Sequence, residues 1–222
     1  SFESLKQDDI EKIAGVEGIA DYNITTVPTA VKHKNFERIE DADTDQTNDF
    51  QGVTLIGNRD MMLDANVLSG NVSVIQGRMT TKDDLNACVI SEELANRNQL
   101  KVGDRLQFHA VKNEEPVQKA TIVGIYQVKE RMKPYLSGDT FRSENVIFTD
   151  LHFPEKVEQD DPLYEKAYFK VENVDDYDAV KEAIKKTNIN WQWYDLIDNN
   201  GNLDTMAANF NDLENISNTL LL

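Results

Sequence analysis

The sequence predicts an α+β protein in which helix–strand chemistry near both ends of the chain flanks a strand-rich middle. Three observations predict it. Residues 164 to 194 alternate strand, helix and strand over about the length such a unit needs. Residues 5 to 26 carry a shorter helix-then-strand pattern of the same kind. Between them, short β-branched runs recur, bounded by Gly, Asn and Asp and interrupted by one brief helix.

Composition narrows the class of protein. At 222 residues, 40% hydrophobic and 28% charged, the chain is ordinary for a globular protein and long enough for one large domain or two small ones. Forty acids against 23 bases give a formal charge of −17. Such a surface repels a phosphate backbone and anionic lipid, so nucleic-acid binding is disfavoured and cationic partners are favoured. The same acidity is also a common solubility device. The single cysteine, Cys88, excludes an intrachain disulfide and a multi-cysteine metal site. The sequence shows neither a signal peptide nor an apolar run of membrane-spanning length. It starts at Ser1-Phe2 and stops at Leu220-Leu221-Leu222 in mid-pattern, which reads as an excised domain whose last helix enters something apolar.

In chain order, Leu5, Ile10 and Ile13 mark a short amphipathic helix, which Gly15 and Gly18 end. Tyr22, Ile24 and Thr26 open an extended stretch, and residues 28 to 38 continue as an edge strand or hairpin return. Residues 41 to 48 form an acid-rich loop, and Gln51 to Gly57 a strand bounded by glycines. Residues 58 to 76 mix short apolar clusters with Asn and Gly and declare no element. Cys88 to Ile90 is a brief buried strand. Ser91 is placed to cap the helix that follows, with Glu92 and Glu93 at its positive end. Gly103 turns the chain into the strand Arg105 to Phe108, and Thr121 to Tyr126 is another β-prone run. Residues 127 to 163, with Pro134, Gly138 and Pro154, read as loop around one strand, Asn145 to Thr149.

Ala167 to Val171 is a strand. A helix follows with Tyr177, Val180, Ala183 and Ile184 on its apolar face, acids at its start and Lys185-Lys186 at its end. Ile189 to Tyr194 completes the strand–helix–strand unit, and Asp198 to Asn202 is a turn. Leu203, Met206, Phe210, Leu213, Ile216 and Leu220 then recur at spacings of three and four, the stripe of one long helix. A stripe this narrow suits a stalk with one packing partner, or a helix lying across a sheet.

No constellation for catalysis emerges. Asp41, Asp43 and Asp45 open like a calcium loop, but Gln46 and Gly52 stand where Gly and a bidentate Glu are needed. His33, His109 and His152 have no metal-ligand spacing. Ser91 sits between strand and helix as a nucleophile elbow does, yet Val89 and Glu93 replace the flanking glycines, so capping explains it better. Cys88 has no basic neighbour and reads as an inert buried thiol. Trp191, Trp193 and Tyr194 are a candidate recognition surface. Core packing is the default for them, because Trp191 and Trp193 would share one face of a strand.

One set of motifs is more specific. Gly77-Arg78, Val89-Ile90-Ser91 with Leu94-Ala95, Leu100-Lys101-Val102-Gly103-Asp104 and Thr121-Ile122-Val123-Gly124-Ile125-Tyr126 occur in that order, preceded by Gly52-Val53 and Gly57. Together they resemble the extracytoplasmic domain of MacB-type ABC transporter permeases, a superfamily that includes the lipoprotein-releasing permeases and FtsX. Met79 departs from the aromatic that often follows Gly-Arg there, and residues 127 to 163 match nothing in the pattern.

The resemblance implies an α+β fold of two lobes with a C-terminal stalk helix. Residues 1–58 and 164–198 would form an α/β porter-like lobe, residues 59–163 an inserted, mainly β sabre-like lobe, and residues 199–222 a stalk leading to a transmembrane segment. It implies a non-catalytic domain on the outer side of the cell membrane, without a cofactor of its own, ATP being hydrolysed on a separate nucleotide-binding domain. The implied partners are the parent permease's transmembrane helices and ATPase, with an adaptor protein or an exported substrate such as a peptide, toxin, antimicrobial or lipoprotein. The isolated domain is expected to be a monomer and the full transporter a dimer. The charge of −17 motivates an alternative of another class, an extracytoplasmic module that senses or binds a cationic peptide.

Overall fold

The computed structural model describes residues 4–40, 52–132, 142–198 and 203–208. The chain forms two compact units: residues 1–25 with 163–222, and residues 26–162. Segments 5–25 and 164–195 thus share one unit. The sequence reading breaks the chain after residues 58 and 163, whereas the units divide at Thr26 and Leu163.

The chain begins with α1 (Gln7–Ala14), which carries Asp8 and Asp9 in its first turn and buries Ile10 and Ile13. The strand β1 (Ile19–Thr26) follows. Its successor β2 (Thr29–His33) is neither an edge nor a hairpin return. It pairs antiparallel with β3 (Val53–Asn58) and with β6 (Arg105–His109), inside the second unit. A Met61–Leu63 3-10 turn and the short α2 (Ala65–Leu68) lead to β4 (Val72–Gly77), resolving the stretch the sequence left undeclared. Asp60 and Asp64 start these two turns by accepting from the N–H groups of Met62 and Asn66, at 3.1 and 2.8 Å.

β5 (Ala87–Ser91) runs into α3 (Glu92–Asn98), and Ser91 Oγ caps that helix by accepting from Leu94 N at 3.0 Å. β6 and β7 (Gln118–Val128) follow, then β8 (Val146–Asp150) and α4 (Phe153–Glu158). The loop expected over 127 to 163 therefore contains a helix. Pro154 sits in its first turn, where proline lacks only an N–H that has no helical partner anyway.

The strands of the second unit pair in the order β3-β2-β6-β7-β5-β8, and β8 returns to β3 in parallel. The circuit closes a six-stranded barrel, with β5–β7 as its second parallel pair. Alternate residues from all six strands build one interior: Val31, Val53 and Leu55, Cys88 and Ile90, Leu106 and Phe108, Ala120 and Ile122, and Ile147. α3 adds Leu94 and Ala95 to this core, and α4 adds Phe153 and Val157. Phe108 lies at the centre, with Phe36 and Phe153 edge-on at 5.6 Å each.

The barrel wall of β3, β8 and β5 is buried on its outer face too. There Ile56, Val89, Val146 and Phe148 pack with Met61, Val72 and Tyr126. Burial on both sides explains why β5 and β8 read as continuous apolar runs. Tyr126 donates its hydroxyl to Val146 O at 2.6 Å and meets Phe148 edge-on. β4 covers the far end of β7 through an antiparallel pairing with a bulge between Val74 and Gln76.

In the first unit, β9 (Tyr164–Val171), α5 (Tyr177–Lys185) and β10 (Tyr194–Asp198) form the predicted strand–helix–strand sequence. The final strand is shorter than predicted. Trp191–Trp193 is a 3-10 turn, which Asn190 starts by accepting from Gln192 N–H, and β10 begins at Tyr194. Trp191 and Trp193 therefore do not share a strand face.

The larger correction concerns the predicted stalk helix. Leu203–Ala208 is a strand, β11, which lies between β10 and β9 and is antiparallel to both. Leu203 and Met206 are strand residues, and Phe210, Leu213, Ile216 and Leu220 lie outside the described residues. The spacing of three between Leu203 and Met206 imitates a helix. Pairing on both edges satisfies this segment's backbone, and Asp204 and Thr205 have weak helix propensity. In sequence the Asn199-Asn200-Gly201-Asn202 run between two strand-competent segments carries turn chemistry, and it lies outside the described residues. The sheet order in this unit is β10-β11-β9-β1. Ala167, Phe169, Met206, Val180 and Ile184 are among its buried side chains.

Candidate functional site

The candidate recognition residues Trp191, Trp193 and Tyr194 fall in the connection between α5 and β10, beside α1. Two α1 residues and the residue that precedes the helix, three apart in sequence, reach this connection. Lys6, the residue preceding the helix, places its ammonium 4.2 Å from the centre of the Trp193 ring. Asp9 accepts a 2.6 Å hydrogen bond from the Tyr194 hydroxyl, and Lys12 donates to Asn188 O at 3.5 Å. Spacing of three on a helix puts all three on one face, so a +/−/+ ladder grips residues 188 to 194.

The three aromatics play different parts. Trp191 is half-buried and anchored, its indole N–H donating to Thr187 O at 3.1 Å. Tyr194 is buried and spends its hydroxyl on Asp9. Trp193 is 42% exposed and packs edge-to-face with Tyr194. Sequence reasoning missed Lys6 and Asp9. The signal was present as alternating charges at i and i+3 on a helix whose other face is apolar.

The remaining candidates are occupied structurally. Ser91 donates to Glu144 O at 2.7 Å while capping α3, so its hydroxyl is fully engaged. Cys88 is fully buried; desolvation pushes its thiol well above the ordinary range, and the Asp150 charge adds to the shift. The Nδ1 atoms of His33 and His109 lie against the backbone oxygens of Phe36 and Ala110, and that of His152 against Glu155. Among the described residues no group of three or more His, Cys, Asp and Glu is arranged to hold a metal. Residues 41–45 lie outside the described residues.

Two buried carboxyls stand out in the barrel unit. Burial raises the pKa of Asp64, and the N–H of Asn66 and the Asn58 amide, which donates at 3.2 Å, oppose the shift. Burial likewise raises that of Asp150, against a 3.0 Å hydrogen bond from Ala87 N–H. Each therefore holds a proton more readily in the folded chain than in the unfolded one. The stability this contributes is complete below the unfolded value of about 3.9 and is lost as pH rises through the raised folded value. In Asp64→Asn the amide oxygen still caps Asn66 without titrating. The unfolding free energy of the native chain minus that of Asp64→Asn should therefore fall as pH rises from about 4 to about 8. Urea melts of both chains read this difference, and a constant or rising value would contradict it.

Comparison with known proteins adds the following. The family described as MacB-like periplasmic core domain matches residues 1–187. The chain is 25% identical over 224 residues to the uncharacterized ABC transporter permease YclI of Bacillus subtilis (strain 168). That match covers 88% of this chain and 46% of the relative, so the chain spans less than half of the relative's length. Among solved structures it resembles the extracellular domain of the noncanonic ABC-type transporter YknZ from Gram-positive bacteria. The TM-score is 0.47 at 15% identity, over 83% of each chain.

Proposed function

This chain belongs to the family of MacB-like periplasmic core domains, the extracytoplasmic parts of ABC transporter permeases, and from that premise we propose that it is a non-catalytic module coupling a transporter's motion to a partner or substrate outside the membrane. The observation that carries the reading is the division of the chain. Both ends build one unit, and a closed barrel is inserted between them. In this reading the first unit is the porter-like lobe and the barrel the sabre-like one. Movement applied at the ends of the first unit reaches the barrel through its two connections near residues 25 and 163. ATP is hydrolysed elsewhere, on the parent transporter's nucleotide-binding domain. The engagement of Ser91 in capping, the burial of Cys88 and the turning of His33, His109 and His152 to backbone or carboxylate oxygens support a role without catalysis.

No helix among the described residues is long and apolar enough to cross a membrane, and the membrane placement proposed here comes from the family. Cysteine labelling tests it. Cys88 is fully buried, whereas Leu85 is 74% exposed. In intact cells making the full permease that carries this chain, Leu85→Cys should react with a membrane-impermeant maleimide well above the level of the unsubstituted permease. Labelling that appears only after cell lysis would overturn the extracytoplasmic placement.

A further inference from the structure

The Lys6–Trp193 contact differs from the other two rungs of the α1 ladder. Asp9 and Lys12 each make a directed hydrogen bond. Among the described residues the Lys6 ammonium has no carboxylate or carbonyl partner and lies instead over the face of an indole. Trp193 is 42% exposed and Lys6 is exposed, so the pair is open to solvent. An ammonium over an exposed indole is held weakly, by the ring quadrupole, and any other primary ammonium satisfies the ring equally well. The ring itself is held firmly, because Tyr194 packs edge-on against it and is tied to Asp9. Long-range attraction brings cations to a chain of charge −17.

We propose that the exposed face of Trp193 is a binding site for a lysine ammonium of a cationic peptide, with Lys6 as the built-in occupant that the incoming ammonium displaces. Lys6 thus acts as a competitor carried by the protein, and displacement frees the residue that opens α1. The inference is independent of the transporter reading, since it concerns only what the isolated chain binds.

The test uses the Trp191→Phe chain, in which Trp193 is the one remaining indole, titrated with pentalysine at low salt. Saturable change in Trp193 emission is expected, weakening as salt rises. Adding Lys6→Ala removes the competitor and should tighten binding about two- to fivefold. Lys119→Ala removes the same charge from an exposed site on β7 of the barrel unit and should leave the affinity nearly unchanged. Calorimetry on Trp193→Ala should show the saturable binding lost. Equal tightening by Lys6→Ala and Lys119→Ala would reduce the effect to net charge and overturn the site. So would intact saturable binding in Trp193→Ala, or no emission change at all. Should Trp193→Ala fail to fold, the comparison of the two lysine variants decides.

Discussion

Replacing Phe108 by alanine is expected to destabilise the barrel unit by about 3–5 kcal/mol. The ring is fully buried among residues from all six strands, and Phe36 and Phe153 both meet it edge-on. Truncation removes both aromatic contacts and leaves a cavity that a closed barrel cannot collapse to fill, because every strand is paired on both sides. Phe108→Leu keeps most of the volume and should cost about 1–2 kcal/mol. Urea unfolding followed by far-UV circular dichroism measures both. Tryptophan emission cannot, since Trp191 and Trp193 lie in the other unit. A cost below about 1 kcal/mol for the alanine variant would mean that Phe108 is not the centre of the core.

The second large effect is expected at Gly124. In the β4–β7 pairing Gly124 faces Gly77, and Arg78 N–H donates to Val123 O at 2.9 Å. A Cβ on Gly124 would run into the backbone oxygen of Arg78, and one on Gly77, whose φ is +68°, into that of Val123. Neither obstacle is the movable end of a side chain. Gly124→Val should therefore cost more than about 3 kcal/mol and strip β4 from β7. Hydrogen exchange would show this as lost protection over residues 72 to 77. Gly70 is the control: its φ is +80°, but nothing lies within 4 Å of the place a Cβ would take. Gly70→Ala should cost about 1 kcal/mol, the conformational part alone. Equal costs at the two positions would show that close backbone approach is not what selects glycine at 124.

The motif set that carried the family resemblance was legible because each member answers a local backbone requirement. Gly77 and Gly124 permit one close crossing, and Ser91 caps a helix. Gly103 turns the chain with φ +100° while its N–H donates to Ile122 O at 2.8 Å. Such requirements depend on a few neighbouring residues, so they leave a signature in sequence. Barrel closure does not, because β3–β8 joins residues 54–58 to 146–150 and no local pattern announces the partner. β11 reads as helical because its apolar residues Leu203 and Met206 stand three apart, which fits a helical stripe better than strict alternation, whereas its pairing with β9 and β10 is tertiary information. At the candidate site the aromatics were legible and their use was not. Whether Trp193 faces a core, a ligand or Lys6 depends on how α1 docks, which is tertiary information.

Insertion of the barrel has a consequence for how the chain is made. Every strand of the barrel unit is in hand once residue 150 has been synthesised, and α4 completes its core by residue 158. The other unit must wait. Its β1 is followed by the whole barrel before β9 and β11 arrive to continue its sheet. Domains fold as units during synthesis, so the barrel forms first, before β9, β10 and β11 exist to complete the other unit's sheet. The long loop that separates β1 from β9 is then already shortened by a folded body, which lowers the entropic cost of bringing the two ends together. A mutation that slows the barrel, such as those at Phe108 and Gly124, would on this view also delay assembly of a unit it does not touch.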